Sequence, residues 1–258
     1  MLTPSPWLVK LGAGAEGGPT LFAFPYSGGS AASYARWRNW LPKEIALYGV
    51  QLPGRGQRMA TPLVSDMDEL VARLLPELLP RLEQPYLFYG HSNGALMAFA
   101  VLNRLLLAGA RAPEAVILSG MRSPTVPHVP ERLGSLSDPD LLLKLKELNG
   151  TPSTLLSDPA FTRLFFPAIR ADFDLGDSHA LRAVHPALRG VPALILAGTD
   201  DHIATEDVFA WTDLFADGRT LALEGDHFFI DSNPAFAQVV KAFCQQVCAT
   251  RAPETVAQ

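Results

Sequence analysis

Ser92, Asp201 and His227 are three side chains whose types, taken together, make a hydrolytic relay. Ser92 is the centre of Gly90-His-Ser92-Asn-Gly94, a Gly-x-Ser-x-Gly pattern that suits a nucleophile held on a sharp strand-to-helix turn. A serine hydroxyl attacks a carbonyl once an imidazole accepts its proton, and a carboxylate then fixes the imidazole tautomer and stabilises the imidazolium. Six histidines compete for the role of base. His91 lies inside the serine turn and is expected to point away from the hydroxyl. His128, His179 and His185 fall in or beside a helical insertion, and His202 adjoins the acid. His227 occupies a loop between the last strand and the last helix, so it is the expected base. For the acid, the adjacent Asp200 and Asp201 should point in different directions, and counting Gly198-x-x-Asp selects Asp201.

The elements around the serine explain how it would be presented. Residues 86–89, Tyr-Leu-Phe-Tyr, follow Pro85 as a short buried strand, and from Asn93 an apolar run reads as a buried helix closed by Gly109. Turning from strand to helix within a few residues strains the backbone at Ser92. It also crowds positions 90 and 94, where a Cβ would not fit. The hydroxyl then projects beside a helix N-terminus, whose amides and dipole stabilise negative charge. By itself the pattern also fits a turn with an incidental serine. The expected oxyanion donors are the backbone amides of Asn93 and Ser27, the latter in Tyr26-Ser-Gly-Gly-Ser after a strand at 20–25. Taken alone, that loop reads equally well as an ordinary Gly-rich turn.

The rest of the chain alternates strand and helix. A strand at 45–52 ends in Pro53-Gly-Arg55-Gly-Gln-Arg58, whose arginines either meet a phosphate or, as most such pairs are, stay solvated. A helix over 66–83 is kinked or divided by Pro76 and Pro80, and a strand follows the serine unit at 115–118. From 121 to about 186 no strand run appears. Proline-rich turns there separate helices at 138–148 and 159–173, an inserted helical lid whose apolar faces seal onto the core or line an acyl-sized groove. Strands at 192–197 and 219–223, helices at 207–215 and 233–248 and a polar tail complete the chain. This is one domain over 1–258 of the α/β class, a mostly parallel central sheet with helices on both faces and its site at the strands' carboxyl ends. The order serine, acid, histidine is that of the α/β-hydrolase fold.

Composition narrows the function. A net charge of -5 disfavours a nucleic-acid partner, and 48% hydrophobic residues suffice for a substantial core. The first ten residues lack a basic and apolar signal pattern, and no uncharged run reaches membrane-spanning length. Cys244 and Cys248 are one helical turn apart, poor geometry for a disulfide, and are taken as packing residues of a cytoplasmic, monomeric protein. No metal and no cofactor is expected.

At this point the chain resembles the type II thioesterases that accompany polyketide and nonribosomal peptide synthases. The motifs are Phe24-Pro-Tyr-Ser-Gly-Gly, Leu52-Pro-Gly-Arg, Gly90-His-Ser-Asn-Gly-Ala, Gly150-Thr-Pro, Pro167-Ala-Ile-Arg-Ala-Asp-Phe, Gly198-Thr-Asp-Asp and Gly225-Asp-His-Phe-Phe. The resemblance implies hydrolysis of acyl thioesters on the phosphopantetheine arm of an acyl or peptidyl carrier protein, the arm belonging to the substrate. It assigns Ser92 as nucleophile, Asp201 as acid, His227 as base and the amides of Ser27 and Asn93 as oxyanion donors. The family commonly has methionine at position 93 and alanine at 27, so the acyl preference is open. Cationic residues that could meet an acidic carrier are Arg122, Arg132, Lys144, Lys146 and Arg163. The alternatives are a general carboxylic-ester hydrolase with the same triad and a non-catalytic binding module.

Overall fold

The structure, a computed structural model, describes residues 4–250, so residues 1–3 and the polar tail from 251 lie outside it. Among the described residues seven strands form one sheet in the order β1-β3-β2-β4-β5-β6-β7. They are β1 Leu8–Gly12, β2 Thr20–Phe24, β3 Ala46–Val50, β4 Tyr86–His91, β5 Ala115–Ser119, β6 Ala193–Gly198 and β7 Gly218–Leu223. β1 is antiparallel to β3, and every other pairing is parallel. The central strands β4, β5 and β6 are buried throughout, which is why they read as unbroken apolar runs. Phe22, Phe24 and Phe88 enter the core on one face, and Leu21, Ala23, Leu87 and Tyr89 enter it on the other.

Helices cover both faces. α1 Met67–Leu78 and α2 Asn93–Leu107 pack on the first, and α8 Pro234–Ala249 on the second. α1 starts at an Asp66 cap that accepts the Glu69 amide, carries Pro76 in its last turn and gives way to a 3-10 turn, Leu79–Arg81, containing Pro80. The segment with Tyr34, Trp37 and Trp40 is a 3-10 helix, Ala31–Asn39. The three-residue spacing of Ala31, Tyr34 and Trp37 explains this, since three residues per turn bring all three to one buried face.

Between β5 and β6 the chain is helical, with α3 Asp138–Leu148, α4 Ser153–Leu156 and α5 Pro159–Asp177. Leu141, Leu145, Leu156, Phe166 and Ile169 form a small core of their own, and Leu164 stands out from it at 52% exposed. α5 continues a turn beyond the expected end at 173, and that turn reaches the site. The expected helix at 207–215 is instead α6 Thr205–Phe209 and a 3-10 turn, Ala210–Asp213, tightened where buried Trp211 donates to the Met121 carbonyl at 2.8 Å. A short α7, Phe229–Ser232, precedes α8, and β1 adds an edge strand outside the expected alternation.

Arg55 and Arg58 are not solvated loop charges. Arg55 is 5% exposed and forms a two-bond ion pair with Asp172 of α5 at 2.5 and 2.7 Å. Arg58 donates to the Gln51 carbonyl at 2.9 Å and lies 3.8 Å from the centre of the Trp7 ring. Their reach across the fold to partners distant in sequence is what local reading misses. Cys244 is buried against the second face, where desolvation pushes its thiol pKa up to about 12, and Cys248 packs against the same core. Among the described residues no helix is long and apolar enough to cross a membrane.

Candidate active site

Ser92 links β4 to α2 with φ 54° and ψ -132°, a positive φ that only a constrained turn forces on a serine. Its amide donates to the Ser119 carbonyl at 2.8 Å and its carbonyl accepts the Ala95 amide at 2.8 Å, so backbone bonds hold the turn on both sides. A Cβ on Gly90 would lie 2.1 Å from the Gly94 carbonyl oxygen. A Cβ on Gly94 would lie 2.3 Å from the Phe24 oxygen, so the second glycine admits β2 rather than its partner glycine.

The loops after β6 and β7 are joined by main-chain bonds. Thr199 donates to Leu223 and Asp200 to Gly225, each at 2.9 Å. This seam brings Asp201 and His227 together at the carboxyl edge of the sheet, next to Ser92. His227 Nε2 is 2.9 Å from Ser92 Oγ, and His227 Nδ1 is 2.8 Å from Asp201 Oδ2. An ionised carboxylate only accepts, so Nδ1 carries the proton and Nε2 is left to accept from the serine hydroxyl. Burial pushes the Asp201 carboxyl up, but hydrogen bonds from His202 and His227, the charge of His227 and the Ile203 amide outweigh it, holding the group below the ordinary carboxylate range.

Asp200 faces elsewhere, with Thr199 Oγ1 3.3 Å from its carboxylate. His202, adjacent to the acid in sequence, also donates to it, with Nδ1 2.8 Å from Asp201 Oδ1. Asp201, His202 and His227 are the triplet of acids and histidines among the described residues whose ligand atoms lie within 4.8 Å of one another. Both imidazoles bonding one carboxylate accounts for that closeness. His91 Nδ1 is 3.0 Å from Ser119 Oγ, and burial, then the neighbouring His227, drives its pKa well down. His128 and His179 line a cavity beside Ser92, while His185 caps a 3-10 turn by accepting the Ala187 amide.

Two cavities meet at Ser92 and His227, with Ser27, Leu148 and Phe173 in the walls of both. One, about 370 Å³, has Arg122, Glu131, Lys144, Asp177 and His202 among its lining residues. The other, about 240 Å³, is lined by Phe161, Phe165, Ile169, Leu155 and Phe228 and takes in the glycine loop after β2. Arg122 and Lys144 are paired with Asp207 at 2.8 Å and Glu131 at 3.0 Å, while Arg132 and Arg163 line neither cavity. The Asn93 side chain turns towards α5, donating through Nδ2 to the Asp172 carbonyl at 2.6 Å. It fits because residue 176 is glycine, where a Cβ would come 2.9 Å from Asn93 Oδ1.

A strained serine at a strand-to-helix turn, an acid and a histidine on the carboxyl-edge loops after β6 and β7, and a mostly parallel sheet define a serine hydrolase of the α/β-hydrolase fold. Residues 19–246 match the family model of the Thioesterase domain, and the chain belongs to that family. It is 34% identical over 90% of its length to Linear gramicidin dehydrogenase LgrE of Brevibacillus parabrevis, of which it covers 89%. It is 28% identical to Gramicidin S biosynthesis protein GrsT of Aneurinibacillus migulanus, with 96% of both chains aligned. Among solved structures, the type II thioesterase BorB from the borrelidin biosynthetic cluster matches with a TM-score of 0.83 and 29% identity, covering 95% of this chain and all of BorB's. The chain is therefore a thioesterase.

Proposed function

We propose that this thioesterase hydrolyses acyl groups from the phosphopantetheine arm of an acyl or peptidyl carrier protein in a synthase of the polyketide or nonribosomal peptide kind. The observation that carries the reading is the unbroken relay from Asp201 through His227 to Ser92, opening where two cavities of unlike lining meet. Ser92 Oγ attacks the thioester carbonyl as its proton passes to His227 Nε2. The tetrahedral oxyanion is held by the amides of Ser27 and Asn93. In the loop after β2 the Gly28 and Gly29 amides are already engaged, by the Asp172 carboxylate at 2.7 Å and the Tyr26 carbonyl at 2.8 Å, which supports Ser27 as that loop's donor. The C–S bond then breaks, the thiolate takes the proton from His227, and the acyl group stays on Ser92. Water, deprotonated by His227, releases it as the free acid and restores the serine.

The aromatic cavity suits an acyl chain, and the cavity with charged walls suits the amide-bearing arm. The helices between β5 and β6 then act as a lid, and the phosphopantetheine enters as part of the substrate, so the reaction draws on no cofactor. The enzyme works as a cytoplasmic monomer. The Brevibacillus relative carries a dehydrogenase name, but here Gly12-Ala-Gly14-Ala-Glu-Gly17 leads into β2 and not into a helix. A nucleotide pyrophosphate would lack the helix N-terminus that such glycine runs serve.

Intact-mass analysis of a panel of acyl-carrier proteins tests the reading. Wild type should return the free holo-carrier, and Ser92→Ala should leave the acyl group in place. The same acyl group on N-acetylcysteamine should be cleaved with lower kcat/KM than on the carrier. Equal values would make the enzyme a general ester and thioester hydrolase instead.

A further inference from the structure

Asp172 of α5 collects bonds from three separate segments. Its carboxylate accepts both Arg55 Nη groups at 2.5 and 2.7 Å and the Gly28 amide at 2.7 Å, and its main-chain carbonyl accepts Asn93 Nδ2 at 2.6 Å. Arg55 Nη1 also donates to the Gly29 carbonyl at 3.1 Å. Gly28 follows Ser27 and Asn93 follows Ser92, so one residue is bonded to both chain segments that carry the proposed oxyanion amides. The approach is close. Gly28 has φ +77°, and a Cβ there would lie 3.2 Å from Ile169 Cγ1, one turn of α5 before Asp172. The carboxylate is 1% exposed and its arginine is 117 residues away in sequence. A buried pair of this kind is seldom better for stability than apolar side chains of the same size, so its presence here points to a use other than stability.

We propose that Asp172, neutralised and oriented by Arg55, is a positioning residue that sets the separation of the Ser27 and Asn93 amides, so that the helices over the site and the oxyanion hole form one unit. The proposal rests on the reading of those two amides as the oxyanion donors. An oxyanion hole acts because its donors are already in place when charge develops. Ser27 lies in a loop of small residues and glycines, Tyr26-Ser-Gly-Gly-Ser, which has little stiffness of its own. Asp172 supplies the missing constraint from the side of α5. It touches neither substrate carbonyl nor nucleophile in this scheme and acts only through the amides it places.

The test uses the full chain, a matched acyl-N-acetylcysteamine thioester, a trifluoromethyl ketone that forms a tetrahedral adduct on Ser92, and the corresponding unreactive amide. Asp172→Asn should lower kcat by roughly tenfold to a hundredfold with KM within about twofold, the scale of a donor misplaced by about an ångström. Affinity for the ketone should fall by the same factor, with affinity for the amide unchanged. Because Asp172→Asn leaves Arg55 buried without its counter-charge, the double variant Arg55→Met with Asp172→Leu keeps the volume and removes both charges. It should melt cooperatively and show the same kcat loss. Hydrogen exchange at the Gly28 amide in the wild-type enzyme gives a third readout and should be slow. Wild-type kcat in either folded variant, an unchanged ketone affinity, or a fast-exchanging Gly28 amide would overturn the proposal. If Ser92→Ala is inactive while folded Asp172→Asn turns over normally, only this proposal falls. If Ser92→Ala remains active, the triad reading beneath it falls instead.

Discussion

Replacing Asp201 by asparagine should inactivate the enzyme through the histidine tautomer, and the structure says why the new amide would settle the wrong way. Asp201 Oδ1 accepts from His202 Nδ1 at 2.8 Å and from the Ile203 main-chain amide at 3.1 Å, while His227 Nδ1 faces both oxygens, 2.8 Å from Oδ2 and 3.0 Å from Oδ1. Asparagine has a single oxygen. Two further donors, one of them fixed in the backbone, wait on the Oδ1 side, so the oxygen should stay there and the NH2 should take the Oδ2 position, the nearer of the two to His227 Nδ1. Nδ1 must then accept, the ring proton moves to Nε2, and Nε2 donates to Ser92 Oγ instead of accepting from it. Losing both the correct tautomer and the carboxylate's stabilisation of the imidazolium corresponds to a drop in kcat on the order of 10³ to 10⁴, or about 4 to 5.5 kcal/mol of barrier. Steady-state hydrolysis of an acyl-N-acetylcysteamine thioester measures it, with fluorophosphonate labelling of Ser92 expected to slow in parallel. Asp200→Asn is the control: among the described residues its carboxylate engages Thr199 Oγ1 and not His227, so kcat should stay within about twofold of wild type. An Asp201→Asn enzyme within tenfold of wild type, or a reversed ranking of the two aspartates, would refute the reasoning.

Gly90→Ala would place a methyl 2.1 Å from the Gly94 oxygen and 2.5 Å from the Ala95 nitrogen, both backbone, so β4 and α2 must part by about an ångström and carry Ser92 with them. A kcat loss of about a hundredfold and a destabilisation of about 1 to 3 kcal/mol in urea titrations should follow. Gly190→Ala, where a Cβ would meet no atom of the described residues within 4 Å, should leave kcat unchanged and add up to about 1 kcal/mol. The native state keeps His91 neutral, whereas the unfolded chain protonates it below about pH 6.5. Wild-type stability should therefore fall between pH 7 and 5 more steeply than that of His91→Phe, and parallel urea midpoints would contradict the assignment.

What could be read from sequence was the part whose chemistry is local. The β4 run and the apolar stretch after Asn93 locate the serine turn without any distant contact, and the alternation after residue 186 places Asp201 and His227 on successive loops at one sheet edge. Side-chain hydrogen bonds between elements could not be read in the same way. By sequence His202 is a rival base, a histidine next to the acid, yet only the folded loops after β6 and β7 show it donating to the same carboxylate as His227. Leu164 belongs to the apolar stripe by spacing and stands in solvent by tertiary placement.

Arg55 shows where that boundary lies. Residues 53–58 contain no acid, and a guanidinium among glycines and a proline has every local reason to face water. Burial at 5% exposure becomes tolerable because a carboxylate arrives from α5, and α5 is seated by the core that the helices after β5 pack around Phe166 and Ile169. Ile169 belongs to that core and also lies against Gly28, so the small core that seats α5 touches the loop after β2 directly. Any motion of α5 away from the sheet must break the Asp172 bonds to Arg55 and Gly28 together, exposing a buried charge pair as it does so. If these helices open over the site, the less costly movement is therefore that of α3 and α4, whose Leu145, Leu148 and Leu155 line the aromatic cavity, with α5 staying in place against Arg55 and Gly28.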